Sequence, residues 1–152
     1  MISILLILIT ALLLYIYLGY PLVLGALAHL FSRTHRQDEQ YLPSVTLIVS
    51  AHNEEKVIPA KLENSLSLDY PREKLKVIVV SDASTDRTDE IVSVWNDPRV
   101  RLVRMEPRRG KTAGLNAALG QIDTDIVVFS DANAIYHPSA IGKLVRHFAD
   151  ES

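Results

Sequence analysis

The chain contains no cysteine, which excludes a disulfide framework and any thiolate metal site. A basic excess is also missing. Sixteen Lys and Arg face 18 Asp and Glu, for a net charge of -2, so non-specific nucleic-acid binding finds no support. No G-x-G-x-x-G occurs, which argues against a dinucleotide enzyme. The histidines at 29, 35, 52, 137 and 147 show no i, i+4 ligand spacing. Internal repeats and low-complexity tracts are absent as well. The most uneven absence is charge itself, because every Asp, Glu, Lys and Arg lies at or beyond Arg33.

The uncharged stretch, residues 1–31, is long enough to span a bilayer core, which takes roughly 20 apolar residues. Tyr15, Tyr17 and Tyr20 suit an interfacial belt, and Gly19-Tyr20-Pro21 is expected to kink or end the span. A cleaved signal peptide is the competing reading, with Ala26-Leu27-Ala28 as its cleavage site. The start lacks Lys and Arg, however, and the apolar run exceeds the ~7–15 residues of a signal core. A retained single-pass anchor is therefore expected. Arg33 and Arg36 follow it, so the positive-inside rule places the remainder in the cytoplasm.

Residues 32–42 are polar and non-periodic and read as a linker. Beyond Pro43 comes Val45-Thr46-Leu47-Ile48-Val49, short, β-branched and apolar on both faces, like a strand of a parallel sheet buried on both sides. Lys76 to Val80 and Asp125 to Phe129 repeat the pattern, and Val100 to Val103 is a weaker copy. Helical stripes alternate with them: Ile58, Leu62 and Leu66; Ile91, Val94 and Trp95 after a capping Asp86; Leu115, Ala118 and Leu119; Ile141, Leu144, Val145 and Phe148. Strand-helix four times over predicts an α/β fold with a parallel sheet and right-handed crossovers.

Polar clusters sit where the predicted strands end. They are Ser50-Ala51-His52-Asn53-Glu54-Glu55, Ser81-Asp82-Ala83-Ser84-Thr85-Asp86, Arg108-Arg109-Gly110-Lys111 and Ser130-Asp131-Ala132-Asn133. Ligands of open parallel sheets bind outside the carboxyl ends of the strands, so four such clusters predict one site. Asp82 is a fitting acceptor for the ring N–H of a uracil, or else a turn residue like Ser84 and Asp86. Asp131 and Asn133, one residue apart, can face a hard cation that bridges to phosphates. Gly110 permits close backbone approach, and Arg108, Arg109 and Lys111 offer cations to phosphate. For His52 the backbone is expected to matter more than the ring.

Two partial matches are set aside. Asp123-Thr124-Asp125 fits acid-x-acid more literally, but it begins the strand that Asp131 follows, roughly 20 Å away at ~3.3 Å per residue. Gly110-Lys111-Thr112 is no P-loop, because Met105 stands where the first glycine belongs.

In order, the four clusters resemble the motifs of the inverting family 2 glycosyltransferases, over about Pro43 to Asp150. The resemblance implies a GT-A, Rossmann-like nucleotide-sugar-binding fold, here a half domain over residues 43–152 preceded by one transmembrane helix. It implies nucleoside contacts at Asn53 and Glu54, base binding at Asp82, and a donor pocket lined by Gly110, Lys111 and Asn116. Its acid-x-acid motif falls on Asp131 and Asn133, with asparagine where aspartate is commoner. Also implied are a UDP-sugar donor, Mg²⁺ or Mn²⁺, a glycan or lipid acceptor, and membrane-bound polysaccharide synthesis. In such enzymes the base that deprotonates the acceptor lies well beyond this motif. Residues up to Ser152 hold no candidate for it, so a donor-binding fragment is expected, inactive alone or part of a longer enzyme. A nucleotidyltransferase is disfavoured, since its glycine-rich first loop has no counterpart in His52-Asn53-Glu54-Glu55.

Overall fold

A computed structural model describes residues 2–31 and 38–149. The chain divides into two compact units, residues 1–35 and 36–152.

The first unit is helical from Ile2 to Leu30, long and apolar enough to cross a membrane. It consists of α1 (Ile2–Leu14), a π-helical turn (Tyr15–Gly19) and α2 (Tyr20–Leu30). At 1.5 Å per residue it reaches about 43 Å, against a hydrocarbon core of about 30 Å. The helix does not end at Gly19-Tyr20-Pro21. Tyr20 N–H donates to the Tyr15 carbonyl five residues back, and Pro21 falls in the first turn of α2. That wide turn re-routes the backbone bonds just where proline has no N–H to give. Arg33 and Arg36, on which the membrane orientation rests, lie outside the described residues.

The second unit is a four-stranded parallel sheet. It comprises β1 (Val45–Ala51), α3 (Ile58–Leu66), β2 (Leu75–Asp82), α4 (Thr88–Ser93), β3 (Val100–Met105), α5 (Lys111–Leu119), β4 (Ile126–Asp131) and α6 (Ala140–Val145). Strand order is β3-β2-β1-β4, all pairs parallel. The expected fold class is thus observed, and the order reverses between β1 and β4. Each side of β1 fills its own core. Val45, Leu47 and Val49 pack with Ile58, Leu62, Val92, Ile141 and Val145 on one face. Ile48 packs with Ile78, Val80, Val103 and Ala118 on the other. Burying both faces explains why β1 and β2 lack apolar–polar alternation, whereas β4, last in the strand order, is only partly covered and leaves Phe129 half exposed.

The helical stripes hold in part. Ile58, Leu62, Ala118, Ile141 and Val145 are buried, but Val94, Leu119, Leu144 and Phe148 are exposed. For Val94 and Phe148 the reason is helix length. α4 ends at Ser93, so Val92 takes the core position. α6 ends at Val145, and Phe148 lies in a following 3₁₀ turn, out of phase with a 3.6-residue repeat.

Candidate active site: a cleft at the strand-order reversal

Both β2 and β4 run further than their apolar cores, and their last residues are Asp82 and Asp131. These strands flank β1, with Ser50 level with Asp131 and Ala51 level with Ser81. Asp82 and Asp131 therefore stand on one rim of the sheet, two strand spacings and two residues apart, about 12 Å. Between them opens a cleft of about 280 Å³. Its walls come from all four clusters: Ser50, His52 and Glu54; Asp82; Arg108, Gly110 and Lys111; Asp131 to Asn133. A larger hollow of about 680 Å³ between Leu42, Tyr70 and Arg146 borders none of the candidate site residues.

Asp82 is buried, 6% exposed. Its carboxylate accepts the N–H of Arg109 at 2.9 Å and of Gly110 at 3.0 Å, and Arg108 Nε lies 3.5 Å away. The Arg109 N–H foremost holds this carboxyl below the usual carboxylate range. Burial opposes it, and Gly110, Arg108 and His52 add to the lowering. Gly110 meets Asp82 with φ +84°, a conformation that side chains resist. Four residues on, Gly114 lets α5 settle on β2, since a Cβ there would come within 2.7 Å of Val80. Lys111 reaches across the cleft, its Nζ 2.6 Å from Asp131 Oδ1.

The first two loops interlock. Asn53, at φ +56°, accepts the Thr85 N–H on its side-chain oxygen at 2.8 Å and donates its own N–H to Ser84 Oγ. Glu54 N–H donates to Thr88 Oγ1, and Asp86 accepts from Glu55 N–H and Thr88 N–H. Ser84 and Asp86 are thus turn and capping groups. Asn53 joins loops and does not border the cleft, whereas Glu54 does. Asn116 is exposed on α5 and borders it neither. Asp123 pairs with Lys76, and Asp125 receives Ser44 N–H and Oγ–H, both at the far edge of the sheet.

Three groups have no precedent in the motif reading. The His52 ring, expected to matter less than the backbone, is engaged: Nδ1 lies 2.8 Å from the Asp82 carbonyl, which can only accept. On α3, Lys61 is fully buried and donates to Ser130 Oγ at 2.8 Å and to the Ala134 carbonyl at 2.7 Å. Asn64, one turn on, brackets Tyr136 through both its N–H and its carbonyl. A signal for Lys61 existed, because residues 58, 61, 62 and 65 form an i, i+3, i+4, i+7 face, and that whole face is buried. Burial pulls Lys61 down to about 8, and the Asp131 charge partly restores it.

Among the described residues no three His, Cys, Asp or Glu side chains gather into a metal cage. Asp131 and Asn133 supply an oxygen pair on the cleft wall. That donor set fits a hard divalent cation which keeps waters and completes its shell with phosphate oxygens.

Residues 46–152 match Glycosyl transferase family 2, and the chain belongs to this family. It is 33% identical over 115 residues to the probable glycosyltransferase YdaM of Bacillus subtilis, covering 72% of this chain and 27% of that protein. It is 38% identical over 111 residues to a beta-monoglucosyldiacylglycerol synthase of Synechocystis, covering 70% and 23%. A mannosyltransferase from Pyrobaculum calidifontis, solved in complex with GDP-Man and Mn²⁺, superposes with a TM-score of 0.79 at 37% identity, over 93% of this chain and 43% of that one. The fold is accordingly of the GT-A type. The chain spans about a quarter of the length of the curated relatives it matches.

Proposed function

We propose that this chain is the donor-binding portion of a membrane-anchored glycosyltransferase, taking a nucleoside-diphosphate sugar into the cleft for inverting transfer to a glycan or lipid acceptor. The observation that carries the proposal is the convergence of Asp82 and Asp131 on one cleft at the strand-order reversal. Asp82 sits at the base end, where its carboxylate can accept a ring N–H. The Arg108–Lys111 loop supplies backbone approach and cations to the diphosphate. Asp131 and Asn133 would hold Mg²⁺ or Mn²⁺, which neutralises charge on the diphosphate as it leaves. In the transfer the acceptor oxygen bonds the anomeric carbon while the bond from that carbon to phosphate oxygen breaks. The electron pair of the broken bond leaves on the nucleoside diphosphate, and the acceptor's proton passes to a base outside this cleft.

The relatives support this reading through what their own names state: a lipid glycoside product in one case, GDP-Man with Mn²⁺ in another. The amino-terminal helix serves as the anchor, with the sheet domain on the cytoplasmic side where nucleotide sugars are found. In a full-length protein, Asp131→Asn is expected to abolish transfer with the fold intact. Unchanged turnover in that variant overturns the assignment.

One observation favours a narrower reading, binding without transfer by residues 1–152 alone. Asp82 is engaged by two backbone N–H groups and Asp131 by Lys111, so neither stands ready as a base. Incubation of the purified chain with labelled donor separates the two, by the presence or absence of sugar transfer or hydrolysis.

A further inference from the structure

We propose that Lys61 is a positioning residue of the donor site, tying the two ends of the Asp131–Asn133 segment to α3 and so fixing where that oxygen pair faces. The inference rests on the function proposed above. Ser130 immediately precedes the segment and Ala134 immediately follows it, and the Lys61 ammonium bonds both, at 2.8 and 2.7 Å. Its remaining side faces the Tyr136 ring, 4.2 Å from the ring centre. Asn64 holds Tyr136 by N–H and carbonyl, so α3 grips the end of β4 at Ser130 and the loop after it at Ala134 and Tyr136.

Stability alone does not account for a lysine here. Of the large side chains in this domain Lys61 is among those with 0% exposure, and neither of its hydrogen-bond partners is a carboxylate. Burying a cation without a paired anion is unfavourable, and apolar replacement of buried charge is often neutral or stabilising. What lysine provides and methionine cannot is a pair of donors spanning a three-residue turn. Ser130 and Ala132 are buried while Asp131 and Asn133 are exposed toward the cleft, so the tie sets the alternation of the motif.

The test uses the full 152-residue chain in detergent, with UDP and GDP titrated calorimetrically, each with and without Mn²⁺. For wild type the better-bound nucleotide is expected to gain at least tenfold in affinity from the metal. In Lys61→Met that metal-dependent gain should fall to less than threefold, while metal-free binding stays within twofold and the melting temperature is unchanged or higher. Ser130→Ala, which removes one of the two ties and keeps the lysine, should lose part of the gain, and it carries the test if Lys61→Met does not fold. A wild-type chain that binds neither nucleotide overturns the proposed function and this inference with it. A wild-type gain retained in full by both folded variants overturns the role of Lys61 alone.

Discussion

Lys111 Nζ lies 2.6 Å from Asp131 Oδ1 across the mouth of the cleft, so the carboxylate suited to a metal is neutralised by a lysine suited to phosphate. Both side chains are more than half exposed. The pair is consequently weak, about 0.2–1 kcal/mol for such a contact. Lys111→Met should act in opposite directions on two ligands. Mn²⁺ alone should bind up to about fivefold tighter with its competitor gone. Nucleoside diphosphate should bind more weakly, having lost a cation. Electron paramagnetic resonance of free Mn²⁺ and nucleotide calorimetry read the two effects separately.

Gly110 adopts φ +84° and ψ 162° while its N–H meets Asp82. That region is nearly exclusive to glycine, and forcing another residue into it costs about 1–3 kcal/mol. Gly110→Ala has open space for its methyl, so backbone strain is the whole effect. The unfolding free energy should fall by that amount, read from the shift in the urea midpoint, and nucleotide affinity should fall with it as the loop leaves Asp82.

Asp97 offers a control away from the cleft. The side-chain hydrogen bond from Arg99 foremost, opposed by burial and aided by the Arg99 N–H and the charges of Arg99 and Arg72, lowers its carboxyl from 3.8 to about 2. A lowered carboxyl contributes stability above its unfolded value and loses it as pH falls through the folded one. Wild type should therefore exceed Asp97→Asn in stability by a constant margin above about pH 5, and the margin should close toward pH 2. Urea midpoints of both proteins across that range check the sign.

The lack of native cysteine makes topology directly measurable. Arg101 is exposed on β3. In Arg101→Cys, a membrane-impermeant maleimide should label nothing in intact cells and label fully after lysis. Labelling of intact cells would put the sheet domain outside.

The strand cores were readable because Val and Ile crowd both faces, as at Val45 to Val49 and Val77 to Val80. The strand ends were not, since Asp82 and Asp131 look like loop residues although they are paired in the ladder. All four clusters were legible as convergent because topology alone places the strand ends on one rim. Asn53 and Asn116 illustrate the limit: a motif position gives proximity to a site, but which way a side chain turns depends on the partner loop, as Thr85 shows for Asn53. Lys61 stayed hidden because lysine ordinarily marks the solvent side of a helix, and only the β4–α6 loop gives it partners.

The ladder that seats Ser50 beside Asp131 and Ala51 beside Ser81 acts as a fixed gauge. Hydrogen bonds lock the offset, so the distance from the end of β2 to the end of β4 cannot stretch to suit a visitor. If Asp82 receives the ring and Asp131 the phosphate end, as proposed, a ligand must carry its own matching separation between the two. On the proposed function, a nucleotide of a different length is expected to meet only one of the two posts, and the sheet itself would then discriminate by length.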